Sequence, residues 1–226
     1  RTFPLPGGEQ AIREPRRQAA GLLYAIFGDD AFIESPVLGQ QLSPSELFNL
    51  QKMLSRELNS PICSSVGRLF DAAAALLGLV THSHFEGQAA MALEACAYSS
   101  NASWHFPFRL IKNEDSQHPR QTIDWEPMIR ALLDSQKRKT PREDIAAAFH
   151  NTLAQIILTV TQPFEGYPVF LSGGVFQNKR LTETVTLLLR QHGQQVFHHE
   201  AVPTNDGGLA LGQIYYARCL ENTLCV

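Results

Sequence analysis

Two glycine-rich turns near the end of the chain hold the residues best suited to chemistry. The first, Leu171-Ser172-Gly173-Gly174-Val175-Phe176-Gln177-Asn178-Lys179-Arg180, follows the apolar run Tyr167-Pro168-Val169-Phe170-Leu171, which reads as a buried strand. A helical pattern begins near Asn178. Glycine lets the backbone approach a ligand closely. A strand entering a helix through such a turn aims free N–H groups and the positive end of the helix dipole at one spot, which suits a phosphate. The plain alternative is a simple strand-to-helix connection. The second turn, Pro203-Thr204-Asn205-Asp206-Gly207-Gly208, follows a second predicted strand, Gln195–His199, and opens a helix running through Tyr216. It contributes an acid, Asp206, whose purely structural reading is a helix N-cap.

The last third of the chain therefore runs strand, turn, helix, strand, turn, helix. Such units place neighbouring strands parallel, and ligands gather at the carboxyl ends of parallel strands. Both turns should open on the same sheet edge, one bringing backbone donors and Asn178, the other Asp206.

The elements upstream are mostly helical. Glu14-Pro15 starts a helix that Gly28 should end, and Ser43-Pro44-Ser45-Glu46 is a capping box for a helix reaching about Leu58. Ser64 or Ser65 caps a segment from Arg68 to Leu77, stopped by Gly78, with Asp71 among alanines and leucines. An aspartate there ordinarily faces solvent. A further helix spans about Glu86 to Tyr98. His82 and His84 stand two apart, yet no third ligand lies at metal-binding spacing beside them. Trp104–Ile111 reads as an edge strand because it contains Pro107, residues 113–121 as a polar connector, and Gln121-Thr122-Ile123 as a short returning strand. Helices follow from Asp124 to about Gln136 and from Thr140 to about Val160, with His150 on the latter's packed side. The domain reading is a mainly helical portion over residues 1–100 and an α/β lobe over 101–226.

The bulk properties bound the function. A chain of 226 residues, 44% hydrophobic and 18% charged, can bury a sizeable core. A net charge of −3 argues against nucleic acid or a membrane surface as the main partner. No apolar stretch is long enough to span a bilayer, and the start of the chain has no signal-peptide pattern. The four cysteines, Cys63, Cys96, Cys219 and Cys225, form no Cys-x-x-Cys pair, so a reducing cytoplasm is the expected setting.

The two turns, Ser172-Gly-Gly-Val-Phe-Gln-Asn178 and Pro203-Thr-Asn-Asp-Gly-Gly-Leu-Ala-Leu-Gly-Gln213, together resemble the C-terminal part of the HypF family, the carbamoyltransferases of NiFe-hydrogenase maturation. Phe3-Pro-Leu-Pro-Gly-Gly8, Arg13-Glu-Pro15, Ser64–Gly78 and Phe85–Glu94 agree with the same family, so the resemblance runs nearly end to end. It implies an α/β chain of the actin-like, sugar-kinase-like ATPase fold, with a C-terminal RNase H-like lobe and a large helical portion. It also implies Asp71 on the ribose hydroxyls, Glu86 and Gly87 bordering the nucleotide, Gly173, Gly174 and Asn178 at its phosphates, and Asp206 on a divalent metal. The family reaction starts from carbamoyl phosphate and ATP, passes through carbamoyl-AMP, and carbamoylates the C-terminal cysteine of the partner HypE for cyanide synthesis.

Features of the whole family are missing from the chain: the His-x-x-x-His metal pair, the cysteine-rich zinc fingers and the upstream catalytic segments. The chain is thus expected to be a C-terminal fragment, inactive by itself. Two other readings stay open. One is a tRNA threonylcarbamoyl-adenosine transferase-like enzyme, from whose usual residues Phe176 and the surroundings of Gly207 depart. The other is a non-catalytic nucleotide-binding or protein-docking lobe.

Overall fold

The structure is a computed structural model that describes residues 1–113 and 120–224. Most of the polar connector expected over 113–121, and Cys225, lie outside the described residues. In chain order the elements are β1 (Phe3–Pro4), α1 (Glu9–Arg13), α2 (Pro15–Phe27), α3 (Pro36–Gln41), α4 (Pro44–Ser55), β2 (Ile62–Cys63), α5 (Val66–Leu76) and α6 (Gln88–Ala97). There follow β3 (Arg109–Asn113), β4 (Arg120–Asp124), α7 (Glu126–Lys137), α8 (Arg142–Thr161), β5 (Val169–Leu171), α9 (Lys179–Gln191), β6 (Val196–His198) and α10 (Leu209–Leu224). The contacts divide the chain into two compact units, Arg1–Ile156 and Ile157–Val226.

In the first unit the local chemistry of the helix ends is as the residues suggest. Pro15 sits at the start of α2, and Gly28 ends it at φ 58°, a left-handed value that favours glycine. The capping box of α4 is complete. Ser43 Oγ accepts from the Glu46 N–H, and a Glu46 carboxylate oxygen accepts from the Ser43 N–H at 2.8 Å. The helix ends at Ser55, a few residues before the predicted stop, and Glu57 and Asn59 then take positive φ. Ser65 caps α5, and α5 from Leu69 to Leu76 is buried, packed along α2.

Phe70 anchors this core, meeting Phe149 edge-on at 5.1 Å and the ring of His150 at 5.3 Å. Full burial of side chains such as Phe70, Leu76 and Phe149 is worth about 1.5–3 kcal/mol each. His150 is itself fully buried, with Nδ1 2.7 Å from the Ala146 carbonyl.

Two antiparallel pairs complete the first unit: β1 with β2 and β3 with β4. The edge strand expected over Trp104–Ile111 begins only at Arg109. Three backbone groups of residues 101–108 bond to α8 instead. The Phe106 N–H donates to Thr152 Oγ1 at 2.9 Å, and Asn151 Nδ2 donates to the carbonyls of Ala102 and Trp104. Backbone groups tied this way are satisfied without a ladder.

In the second unit β5 and β6 are parallel neighbours, with Val169, Phe170 and Leu171 opposite Val196, Phe197 and His198. The helix between them, α9, buries Leu181, Val185 and Leu189, and the strands bury Leu171 and Val196. On the strands Phe170 and Phe197 stack at 5.0 Å and remain exposed. Because the strands are parallel, the turns that follow them leave from one sheet edge.

Candidate functional site

The two turns are stitched together by backbone and side chain. The Gly173 N–H donates to the Thr204 carbonyl at 2.9 Å, and Thr204 Oγ1 donates to the Gly173 carbonyl at 3.1 Å. Gly173 sits at φ 105°, where an L side chain is strained, and a Cβ built there would meet nothing within 4 Å. Its own N–H is therefore taken. The N–H groups of Gly174 and Val175, first in the 3₁₀ turn Gly174–Gln177, meet no carbonyl among the described residues.

Between the turns lies a cleft of about 480 Å³ whose lining includes Ser172, Gly173, His199, Thr204, Asn205 and Asp206. Gly173 and Asp206, two of the residues expected at the site, are thus brought together. Gly174 and Asn178 do not line the cleft. Gly174 follows Gly173 with only the Asn205 Cβ near its own Cβ position, at 3.9 Å. The Asn178 side chain is buried and spent on α9, where Oδ1 accepts the Leu181 N–H at 2.8 Å. It acts on the turn by capping the helix that follows.

Asp206 is exposed, and the cap role falls to its neighbour. Asn205 Oδ1 accepts the Gly207 N–H at 3.1 Å, at the head of the turn Asp206–Gly208. The Asp206 carboxylate makes no hydrogen bond or ion pair among the described residues, so it is free to meet a cation. The sequence reading has His199 only as the last residue of the second strand and not as a site residue. The strand ends at His198, and His199 Nε2 lies 3.0 Å from Ser172 Oγ across the two turns. The signal was its position at the mouth of a glycine-rich turn.

The remaining candidates lie in the first unit. Asp71 is buried on α5, and its carboxylate pairs with the Arg68 guanidinium at 2.8 Å. Burial pushes this carboxyl above the ordinary range; Arg68 and a hydrogen bond from Gln18 oppose that, and the charge of Glu86 adds to it. Asp71 and Glu86 are thereby close enough to feel each other. Gly87 stands at φ 79° as the N-cap of α6, with open space where a Cβ would be.

The arrangement in the second unit suits an anion at Gly174 and Val175, where two N–H groups are unclaimed. It suits a metal less completely. Among the described residues no group of three His, Cys, Asp or Glu side chains could hold a metal ion, and Asp206 offers a single carboxylate. No helix among the described residues is long and apolar enough to cross a membrane.

Comparison with known proteins bears on the whole chain. Residues 1–213 match the family model described as carbamoyltransferase, Kae1-like domain, second subdomain. The chain is 35% identical to the carbamoyltransferase HypF of Synechocystis, covering 94% of this chain and 28% of the relative. It is 34% identical to HypF2 of Cupriavidus necator, covering 96% and 29%. Among solved structures, full-length HypF in its phosphate- and nucleotide-bound form superposes with a TM-score of 0.82 at 32% identity, covering 94% of this chain and 27% of that one. The HypF of T. kodakarensis gives 0.80 at 27% identity, covering 96% and 29%. The chain thus spans under a third of the length of these relatives. These matches bear out the α/β, actin-like fold class with its large helical portion. With the family model covering nearly every residue and both glycine-rich turns in place, the chain belongs to the HypF carbamoyltransferase family.

Proposed function

We propose that this chain is part of a carbamoyltransferase that uses carbamoyl phosphate and ATP, through carbamoyl-adenylate, to carbamoylate the C-terminal cysteine of HypE. The observation that carries the reading is the pair of turns at the carboxyl ends of two parallel strands. One presents unclaimed N–H groups at Gly174 and Val175, and the other presents the unpartnered carboxylate of Asp206. The related full-length HypF structure, solved in a phosphate- and nucleotide-bound form, supports the same chemistry.

In this reading the N–H groups of the Gly173-Gly174 turn bind phosphate oxygens, and Asn178 keeps that turn in place by capping α9. Asp71 takes the ribose hydroxyls, and Glu86 and Gly87 border the nucleotide. Asp206 provides one ligand to a divalent metal whose other ligands lie outside the chain. An acyl adenylate is already activated, because AMP is a good leaving group. The residues then have positioning and charge stabilisation to supply. The chain alone is inactive, since one carboxylate and part of a ligand set do not assemble a site. An acceptor thiol places the reaction in a reducing compartment, the cytoplasm.

Gly174→Val tests the reading, because a Cβ at Gly174 has room and the fold should be undisturbed. In the whole carbamoyltransferase, calorimetric titration of ATP should show affinity at least about tenfold weaker in the variant, about 1.4 kcal/mol. Carbamoylation of HypE, read by mass spectrometry, should fall with it. Unchanged affinity and unchanged transfer would remove the turn from the site.

A further inference from the structure

We infer that His199, held by Ser172, is the proton acceptor for the attacking thiol in this cleft; the inference rests on the reading of the acceptor as a thiol. His199 lines the cleft beside Gly173 and Asp206 and is itself exposed. Its Nε2 lies 3.0 Å from Ser172 Oγ, while Nδ1 has no hydrogen-bond partner among the described residues. An imidazole pinned through one nitrogen has its ring direction set, and the other nitrogen is left for exchange with a substrate. In the tautomer that donates Nε2–H to Ser172 Oγ, which is the one the inference uses, Nδ1 carries the free lone pair.

A free thiol is mostly protonated at neutral pH, so attack on a carbamoyl carbon needs a base within reach. The other titratable side chains lining the cleft are Asp206 and Tyr216, and His198 and Glu200 flank His199 in the chain. Imidazole is the side chain whose ordinary range spans neutrality, whereas a carboxylate is too weak a base and a phenol does not ionise there. In the step itself the thiol proton passes to Nδ1 and the sulfur forms a bond to the carbamoyl carbon. The carbon–oxygen bond to the adenylate phosphate breaks, and its electron pair leaves with AMP. The products are the thiocarbamate, AMP and an imidazolium, which returns its proton to solvent.

His199→Gln keeps an N–H donor for Ser172 and, at an exposed position, leaves the fold intact. In the whole carbamoyltransferase, supplied with carbamoyl phosphate, ATP and HypE, kcat for transfer should fall by about 100-fold or more with the KM for HypE nearly unchanged. The deficit should shrink as pH rises and the thiol ionises without help. Ser172→Ala should lower kcat less, at the same KM, and displace the rise of rate with pH. If His199→Gln matches the unsubstituted protein in kcat and pH profile, this inference fails and the carbamoyltransferase reading stands. If the unsubstituted protein carbamoylates no thiol, both fail together.

Discussion

The Arg68 guanidinium lies 2.8 Å from the Asp71 carboxylate, one turn away on α5, yet the carboxyl is still pushed above its ordinary range. The ion pair alone would lower it. Burial outweighs the pair, and the negative charge of Glu86 adds to burial. Ionised Asp71 is therefore held at a cost to the fold, which is how a carboxylate kept for binding behaves.

Asp71→Asn separates the roles. The pKa is raised on folding, so the penalty is absent below the unfolded value near 3.8, grows as pH rises above it and is complete once pH has passed the folded value. At neutral pH the Asn variant should match or exceed the parent in urea midpoint, and the difference should close as pH falls below 4. Its nucleotide affinity should drop. Asp71→Ala is a poorer test, because unlike Asn it also removes the acceptor oxygen that Arg68 and Gln18 face, and it should lower the midpoint. An Asn variant that binds nucleotide normally would make Asp71 a structural residue only.

Gly21 shows where packing overrides propensity. A Cβ there would stand 1.9 Å from the Pro4 carbonyl oxygen and 3.0 Å from its carbon, so α2 and β1 approach backbone to backbone. Alanine for glycine inside a helix gains about 1 kcal/mol in propensity. The overlap with fixed backbone should cost more, about 1–3 kcal/mol of overpacking strain. Gly21→Ala should therefore lower the thermal midpoint. A midpoint raised above the parent would mean that β1 moves aside at little cost.

That contact illustrates what the sequence could not reveal. Helix ends were legible because their signals are local: Ser43 with Glu46, Gly28, and Asn178 before α9 each act within a turn. The parallel strands and their turns were legible from apolar runs followed by glycines. The pairing of Phe3 with Cys63 was not, since two-residue strands have no period to read. Trp104–Phe108 had the composition of a strand, but Thr152 and Asn151 on α8 took its hydrogen bonds. At the site, Asn205 and Asp206 are adjacent and cap about equally well, so only coordinates could choose between them.

Glu46 gives a pH signature for the first unit. Its carboxyl is lowered from 4.5 to about 2, first by the Ser43 N–H and then by the Ser43 hydroxyl; burial opposes them, and the Arg16 guanidinium lowers it further. A depressed folded value contributes stability that is fully present above pH 4.5 and is lost as pH falls toward 2. Glu46→Gln should thus lower the urea midpoint at neutral pH, and parent and variant should converge as the solution is acidified through that window. The side chain is about a third exposed, so solvent screens the effect. A gap that persists unchanged at pH 3 would assign the loss to packing and not to charge.

Asp206 is where the structural and functional roles now part most cleanly. Because Asn205 caps the turn, Asp206→Asn removes no cap hydrogen bond. What it removes is a negative charge in the first turn before α10, an exposed interaction worth a few tenths of a kcal/mol to about 1 with the helix dipole. The thermal midpoint measured without metal should shift accordingly little. A hard divalent cation, by contrast, loses a charged oxygen ligand, and in the whole carbamoyltransferase the metal content measured by elemental analysis should fall along with carbamoyl transfer. If the Asn variant keeps full metal content and full transfer, the unpartnered carboxylate in this cleft is not a metal ligand, and charge at the head of α10 is its whole contribution.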